Sequence, residues 1–260
     1  MSSPNIALLD LMPRGSGYAD RLSDDIGSLV PEASVSPFVL PLEPAQESKR
    51  VTGALDRWLD VHGRPLGIVV SGAPVEHLPF EEVRYWKSLV DVFDRAREEQ
   101  IPVLGICFGG LAIAGYLGLE KRVLPEKAFG LVETRSSPRG QRFFGENARY
   151  ALPMSTWALI ASGEVERRAD AVEVLLASAS AEPLMLGSRE GDMIAMLGHP
   201  EYSADDLRRE WLRDRPKGIP YTRDFDDSSF DRASEELALR GCPALKRWLS
   251  IQLLAVEATL

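Results

Sequence analysis

The chain has 260 residues, of which 45% are hydrophobic and 27% charged, and its net charge is −9. That length is enough for one large domain with a sizeable core, and the composition is that of an ordinary globular protein. The acidic balance, with no long basic tract to offset it, argues against nucleic acid as a partner, and no apolar run approaches the roughly 20 residues of a membrane span.

The chain opens with an apolar run, Ile6–Leu11, which Pro13 ends and no basic segment precedes, so a buried strand is expected rather than a secretory signal. Further short apolar runs predict strands at Val35–Leu40, Gly67–Ser71 and Val103–Ile106, and amphipathic patterns between and after them predict helices at Tyr18–Leu29, Val51–His62, Phe80–Glu98 and Phe108–Gly118. Strands alternating with helices imply right-handed crossovers and a mostly parallel, doubly wound α/β sheet. Later strands at Val172–Ala177, Leu184–Gly187 and Met193–Leu197 are closely spaced, with a turn at 189–192, so this edge is expected to turn antiparallel. Ser203 is placed to cap a helix on which Asp206, Glu210 and Arg213 share a face. From Arg213 to Ser229 the chain is rich in Pro, Asp and Arg, which predicts a surface excursion before a last helix near Pro243–Leu254.

The stretch PVLGICFGGLAIAGYLG, residues 102–118, places Cys107 between a strand and a helix with glycines around it. Ligands of open α/β sheets bind at the carboxyl ends of strands, where this cysteine stands. A sharp strand-to-helix turn holds a nucleophile exposed, and the helix N-terminus favours its thiolate. The backbone N–H of Phe108 would then face a developing oxyanion. A buried structural cysteine is the alternative, as for Cys242, the second cysteine of the chain. Two cysteines imply no disulfide framework and suit a reducing, cytoplasmic compartment.

The chain has three histidines, His62, His77 and His199. His62 falls at a helix end and His77 in a loop, whereas His199 follows the strand Met193–Leu197, with Glu201 two residues further on. A strand-end cysteine, a strand-end histidine and a nearby carboxylate supply a nucleophile, its base and the group that orients the base. The scattered histidines and cysteines lack metal-ligand spacing, so no metal is expected.

The segments GICFGG and GHPE resemble the class I glutamine amidotransferase-like superfamily. LLDLMP (8–13), SGAPVEHLPFEEVRYW (71–86), PEKAFGLVE (125–133), ARY (148–150), GHPEYSADDLRREWLRD (198–214) and IPYTRDFDD (219–227) are similar to its homoserine O-acyltransferase branch. The resemblance implies a flavodoxin-like, three-layer fold in a single domain spanning 1–260, with the C-terminal excursion beginning at about 213. It implies that Cys107, His199 and Glu201 are catalytic, with the Phe108 N–H in the oxyanion hole, and that no cofactor stays bound. The co-substrate would be an acyl-CoA, transferred through a Cys107 acyl-thioester to a hydroxy amino acid. Lys127 and Arg213 match substrate-binding positions. Alignment on ARY puts Ala148 where the family has a serine that touches the acceptor. Glu76 matches the position where family members that use acetyl-CoA carry Glu, which favours acetyl-CoA over succinyl-CoA.

This sequence departs from the family in CFGGLA at the nucleophile, in RGSGYADR after LMP and in lacking a C-terminal WxxH segment, which leaves L-serine or a related amino acid beside L-homoserine as the acceptor. A glutamine amidotransferase is the second alternative, although Leu111 stands where that class carries a polar residue. The family tends to form dimers, so a homodimer is a further expectation. RSSPRGQR (135–142), with Arg139, is the candidate for contact with the CoA phosphates.

Overall fold

The computed structural model describes residues 4–40, 53–146, 148–222 and 226–257. In chain order these form β1 (Asn5–Asp10), α1 (Tyr18–Leu29), β2 (Ser34–Val39), α2 (Ala54–His62), β3 (Gly67–Val70), α3 (Trp86–Glu98), β4 (Val103–Ile106) and α4 (Phe108–Tyr116). There follow β5 (Lys121–Ser136), α5 (Gly140–Phe144), β6 (Arg149–Ile160), α6 (Ser162–Arg167), β7 (Val172–Ser178), β8 (Pro183–Ser188) and β9 (Met193–Met196). The chain closes with α7 (Ala204–Asp214), α8 (Asp227–Arg240) and α9 (Ala244–Glu257).

The strands form one sheet in the order β2-β1-β3-β4-β9-β8-β7-β5-β6. The block from β2 to β9 is parallel, and pairing turns antiparallel from β9 to β6. Alternation along each parallel strand divides the core into two layers. Ala7, Leu9, Ile68, Val70 and Val103 face α2, α3 and α4. Ile6, Leu8, Val69, Leu104 and Ile106 face α1 and α9, where Leu22, Ile26 and Trp248 meet them. A small third cluster, Phe129, Leu207, Trp211, Phe230 and Ala233, seats α7 and α8 against β5. This is the three-layer α/β arrangement expected. No helix among the described residues is long and apolar enough to cross a membrane.

The expected strands are present to within a residue at each end, as are α1, α4 and α9 to within a few. Residues 51 and 52, where the second helix was expected to begin, lie outside the described residues. Three elements differ. The single helix expected over Phe80–Glu98 is split into a 3-10 turn, Phe80–Glu82, and α3, because the break buries Val83 and sets the Tyr85 ring edge-on to Phe108 at 6.4 Å. The β5–β6 hairpin was not foreseen, since charged residues and Pro125 and Pro153 interrupt its alternation. The excursion after Arg213 is shorter than expected: Arg213 and Asp214 complete α7, and α8 begins at Asp227, capped by the Asp226 carboxylate.

Glycine decides how α4 meets the sheet. A Cβ on Gly109 would lie 2.4 Å from the Val70 carbonyl oxygen, and one on Gly110 2.3 Å from the Met196 carbonyl oxygen. The first turn of α4 therefore rests directly on the backbones of β3 and β9. Gly110→Ala should force α4 off β9 and cost about 1–3 kcal/mol of stability, as overpacking does. A lower urea midpoint at unchanged m-value is the expected result.

Candidate active site

Cys107 is the residue between β4 and α4, and its backbone sits at φ 53°, ψ −111°. A non-glycine residue there is strained, and the surroundings must hold it. Its N–H donates to the Met196 carbonyl at 2.8 Å, and its carbonyl accepts from the Leu111 N–H at 2.9 Å. The elbow sets the side chain between the loop after β3, where a Cβ on Gly72 would be in ordinary contact with the Cys107 Cβ at 3.4 Å, and β6, where Sγ lies 3.8 Å from the Ser155 carbonyl oxygen. Phe108 is the first residue of α4, so its N–H has no partner within the helix and belongs to the positive end of the helix dipole.

His199 follows β9, and its N–H donates to the Pro153 carbonyl of β6 at 2.8 Å. The imidazole is buried, stacks on Tyr202 at 4.0 Å between ring centroids, and interacts electrostatically with the Cys107 side chain, whose Sγ–H donates to the Ser155 carbonyl. Its Nδ1 lies 2.7 Å from Glu201 Oε1. Burial pulls the imidazole down, but Cys107 and Glu201 outweigh it and hold His199 well above its ordinary value. Burial pushes the Cys107 thiol up, and His199 pulls against that rise. The thiol stays above its ordinary value on balance, and an imidazolium at His199 lowers the cost of ionising it.

A cavity of about 370 Å³ opens over this pair. Its far wall is made by β5 and α7. The register of the β5–β6 hairpin breaks between Val123 and Ala128, and Lys127 instead exchanges backbone hydrogen bonds with Pro220 and Thr222, at 2.9 and 3.0 Å. This bulge turns Lys127 away from the ladder and toward α7. Its buried ammonium lies 2.7 Å from Asp214 and 3.7 Å from Glu210. Arg213, half exposed, reaches the same two carboxylates, at 2.6 Å for Asp214 and 3.0 Å for Glu210. Burial pushes the Asp214 carboxyl up, but Arg213 and Lys127 outweigh it and hold it below its ordinary value. Ser155, on β6, donates its hydroxyl to Glu210.

Cys107, His199, Lys127, Arg213 and Glu76 all line this one cavity, with Glu201 behind the imidazole. Glu76 is buried, which pushes its carboxyl up; its own backbone N–H and the charges of Lys127 and His199 oppose the rise. Ala148 is not brought to the cavity. It precedes β6 and packs beside the α1–α9 layer, and the serine that lines the cavity is Ser155, seven positions along the chain. The ARY segment does not carry the chain to the pocket, because β6 must run on from it to reach Cys107. Arg139 is likewise absent from the cavity lining and pairs with Glu173 at 2.7 Å. Tyr18, Ser155, Trp157, Tyr202, Glu210 and Asp214 line the cavity without having been singled out as site residues. For Glu210 and Asp214, one turn apart around Arg213, a charged helix face was the available signal.

Asp214→Asn should destabilise the fold by about 3 kcal/mol at neutral pH, because it removes the closest partner of a buried ammonium. The folded carboxyl titrates below its unfolded value of about 4, so the stabilisation is full above pH 4 and lost as pH falls through the folded value. Urea unfolding at neutral and acid pH should show the difference between wild type and variant shrinking on the acid side.

A family model described as homoserine O-succinyltransferase (HTS) matches residues 2–238. A homoserine O-acetyltransferase of Geobacillus kaustophilus is 32% identical over 225 residues, which are 83% of this chain and 73% of that protein. A homoserine O-acetyltransferase of Synechococcus elongatus is 36% identical over 159 residues, 59% of this chain and 52% of that protein. Among solved structures, a glutamine amidotransferase from Thermotoga maritima superposes with a TM-score of 0.68 at 14% identity, over 97% of this chain and 99% of that one. One from Methylobacillus flagellatus superposes with a TM-score of 0.61 at 16% identity, over 96% and 95%. Those two likenesses establish a class I glutamine amidotransferase-like fold. With the family match running through the Cys107 turn and the His199 segment, the chain belongs to the homoserine O-succinyltransferase family of acyltransferases.

Proposed function

We propose that the protein transfers an acetyl group from acetyl-CoA to the side-chain hydroxyl of L-homoserine through an acyl-thioester on Cys107. The observation that carries this reading is that Cys107 and the hydrogen-bonded pair His199–Glu201 open together on one cavity whose other wall presents Lys127 and Arg213.

In the first half-reaction the Cys107 thiolate adds to the thioester carbonyl, and the Phe108 N–H receives the developing oxyanion. The tetrahedral adduct collapses with loss of the CoA thiolate, which takes a proton from the His199 imidazolium. In the second, neutral His199 removes the proton of the amino acid's hydroxyl as it attacks the acyl-enzyme. The ester leaves, and Cys107 returns as the thiolate beside imidazolium. Exchanging one thioester for another costs little free energy, which suits a cysteine nucleophile. Arg213, whose guanidinium is partly exposed, is the group for the acceptor's carboxylate, for which a planar fork is matched.

The donor is assigned through Glu76. A succinyl carboxylate about 4 Å from an ionised Glu76 would be opposed by roughly 4 kcal/mol at an effective dielectric constant of 20. An acetyl group carries no such charge. The relatives named homoserine O-acetyltransferase support both donor and acceptor. Serine is one methylene shorter, a difference that a pocket separates by only about 1–3 kcal/mol, so the acceptor is the finer part of the assignment.

Intact-protein mass spectrometry tests the mechanism. Acetyl-CoA should leave an adduct of about 42 Da that Cys107→Ala cannot form, and homoserine should discharge it faster than serine. Faster discharge by serine would reassign the acceptor. If neither acyl-CoA gave an adduct, the covalent mechanism would fail and glutaminase activity would be the assay to run. For the donor, Glu76→Gly should raise kcat/KM for succinyl-CoA relative to acetyl-CoA by about tenfold or more.

A further inference from the structure

The carboxylate behind His199 has a second donor. The Tyr18 hydroxyl, at the first turn of α1, lies 2.6 Å from Glu201 Oε1, the same oxygen that meets His199 Nδ1 at 2.7 Å. Glu201 Oε2 is buried and has no hydrogen-bond partner among the described residues. A buried carboxylate is thus held through one oxygen by two donors, an imidazole and a phenol. Tyr18 is itself buried, and it stands in RGSGYADR, the stretch that departs from the family pattern.

We infer that Tyr18 is a positioning residue of the catalytic site, which acts on His199 through Glu201 by fixing the carboxylate and taking up part of the charge on Oε1. The inference deepens the proposed role of Cys107, His199 and Glu201 and rests on that reading for its catalytic meaning. Two donors on one oxygen compete for its charge, so each weakens the other's bond. With the phenol in place, Glu201 orients the imidazole yet stabilises imidazolium less than a free carboxylate would. That matters in the second half-reaction, where His199 must be neutral to take the acceptor's proton. Burial and Glu201 hold the Tyr18 phenol well above its ordinary value, so it remains a donor across the working pH range.

The other titratable groups that face this assembly come from every element around it. They are Cys107 before α4, Glu76 after β3, Asp24 and Asp25 on α1, Tyr202 before α7, and Asp206 and Glu210 on α7. Arg21 on α1 and Arg209 on α7 line a second cavity behind the Tyr18 and Tyr202 rings. All of these stay unchanged when the phenol oxygen alone is removed, so a shift on Tyr18→Phe reports that oxygen.

The test is an NMR titration of the imidazoles in full-length protein carrying Cys107→Ser, which removes coupling to the thiol and needs no acyl donor. The chain has three histidines, so His199 is assigned by comparison with His199→Asn. Adding Tyr18→Phe should raise the His199 midpoint by about half to one pH unit, because the freed oxygen bonds the imidazolium more strongly. If His199 stays protonated throughout the folded range, its Nδ1–H resonance is the readout, and it should move downfield in Tyr18→Phe. A midpoint that is unchanged or lowered, or an Nδ1–H resonance that is unmoved or shifted upfield, would overturn the inference. A merely structural tyrosine would lower thermal stability and leave both readouts in place. Absence of an acyl-enzyme would count against the proposed function and leave this titration untouched.

Discussion

Everything in the candidate site depends on how closely the first turn of α4 approaches the backbones of β3 and β9. With no Cβ on Gly109 or Gly110, that turn rests on carbonyl oxygens of Val70 and Met196. Cys107, one residue before that turn, has a positive φ. The strain is held by the hydrogen bond from its N–H to Met196 and by the helix that begins one residue later. The same contact joins Cys107 to β9, the strand that delivers His199. The geometry of the candidate site and the packing of the sheet are one constraint here.

Buried charge is the second organising feature, and it is arranged in two groups on opposite walls of the cavity. Near the sulfur, Glu201, His199 and Cys107 form a short series in which a negative end stabilises a proton on the middle member. Across the cavity, Lys127 and Arg213 share Asp214 and Glu210. Two cations facing two carboxylates leave the group near neutrality, which makes burial tolerable. The pairing depends on the β5 bulge, because a regular ladder would hold Lys127 against β6 instead of α7.

Much of the fold was legible along the chain. The parallel strands are short apolar runs buried on both faces, and such runs stand out whatever their neighbours do. The long β5–β6 hairpin was not legible. One of its faces lines a polar cavity and its ladder is broken by a bulge, so neither a period of two nor a continuous apolar run survives. The split of the Phe80–Glu98 helix was hidden for a related reason. Its pattern of residues suits a helix, and the packing of Tyr85 on Phe108 interrupts it.

The sequence by itself determined the doubly wound sheet, the cysteine at the end of β4 and the histidine–glutamate pair after β9. Each is written in a local run of residues whose chemistry does not depend on distant segments. Only the tertiary structure decided that Ser155 rather than Ala148 reaches the cavity, that Lys127 is a buried partner of Asp214, and that Tyr18 shares an oxygen of Glu201 with His199. Tyr18 and Glu201 are 183 positions apart, and Lys127 and Asp214 are 87 apart. Contacts across such separations are set by which helix lies on which strand and by where a bulge turns a side chain, and no local pattern encodes them.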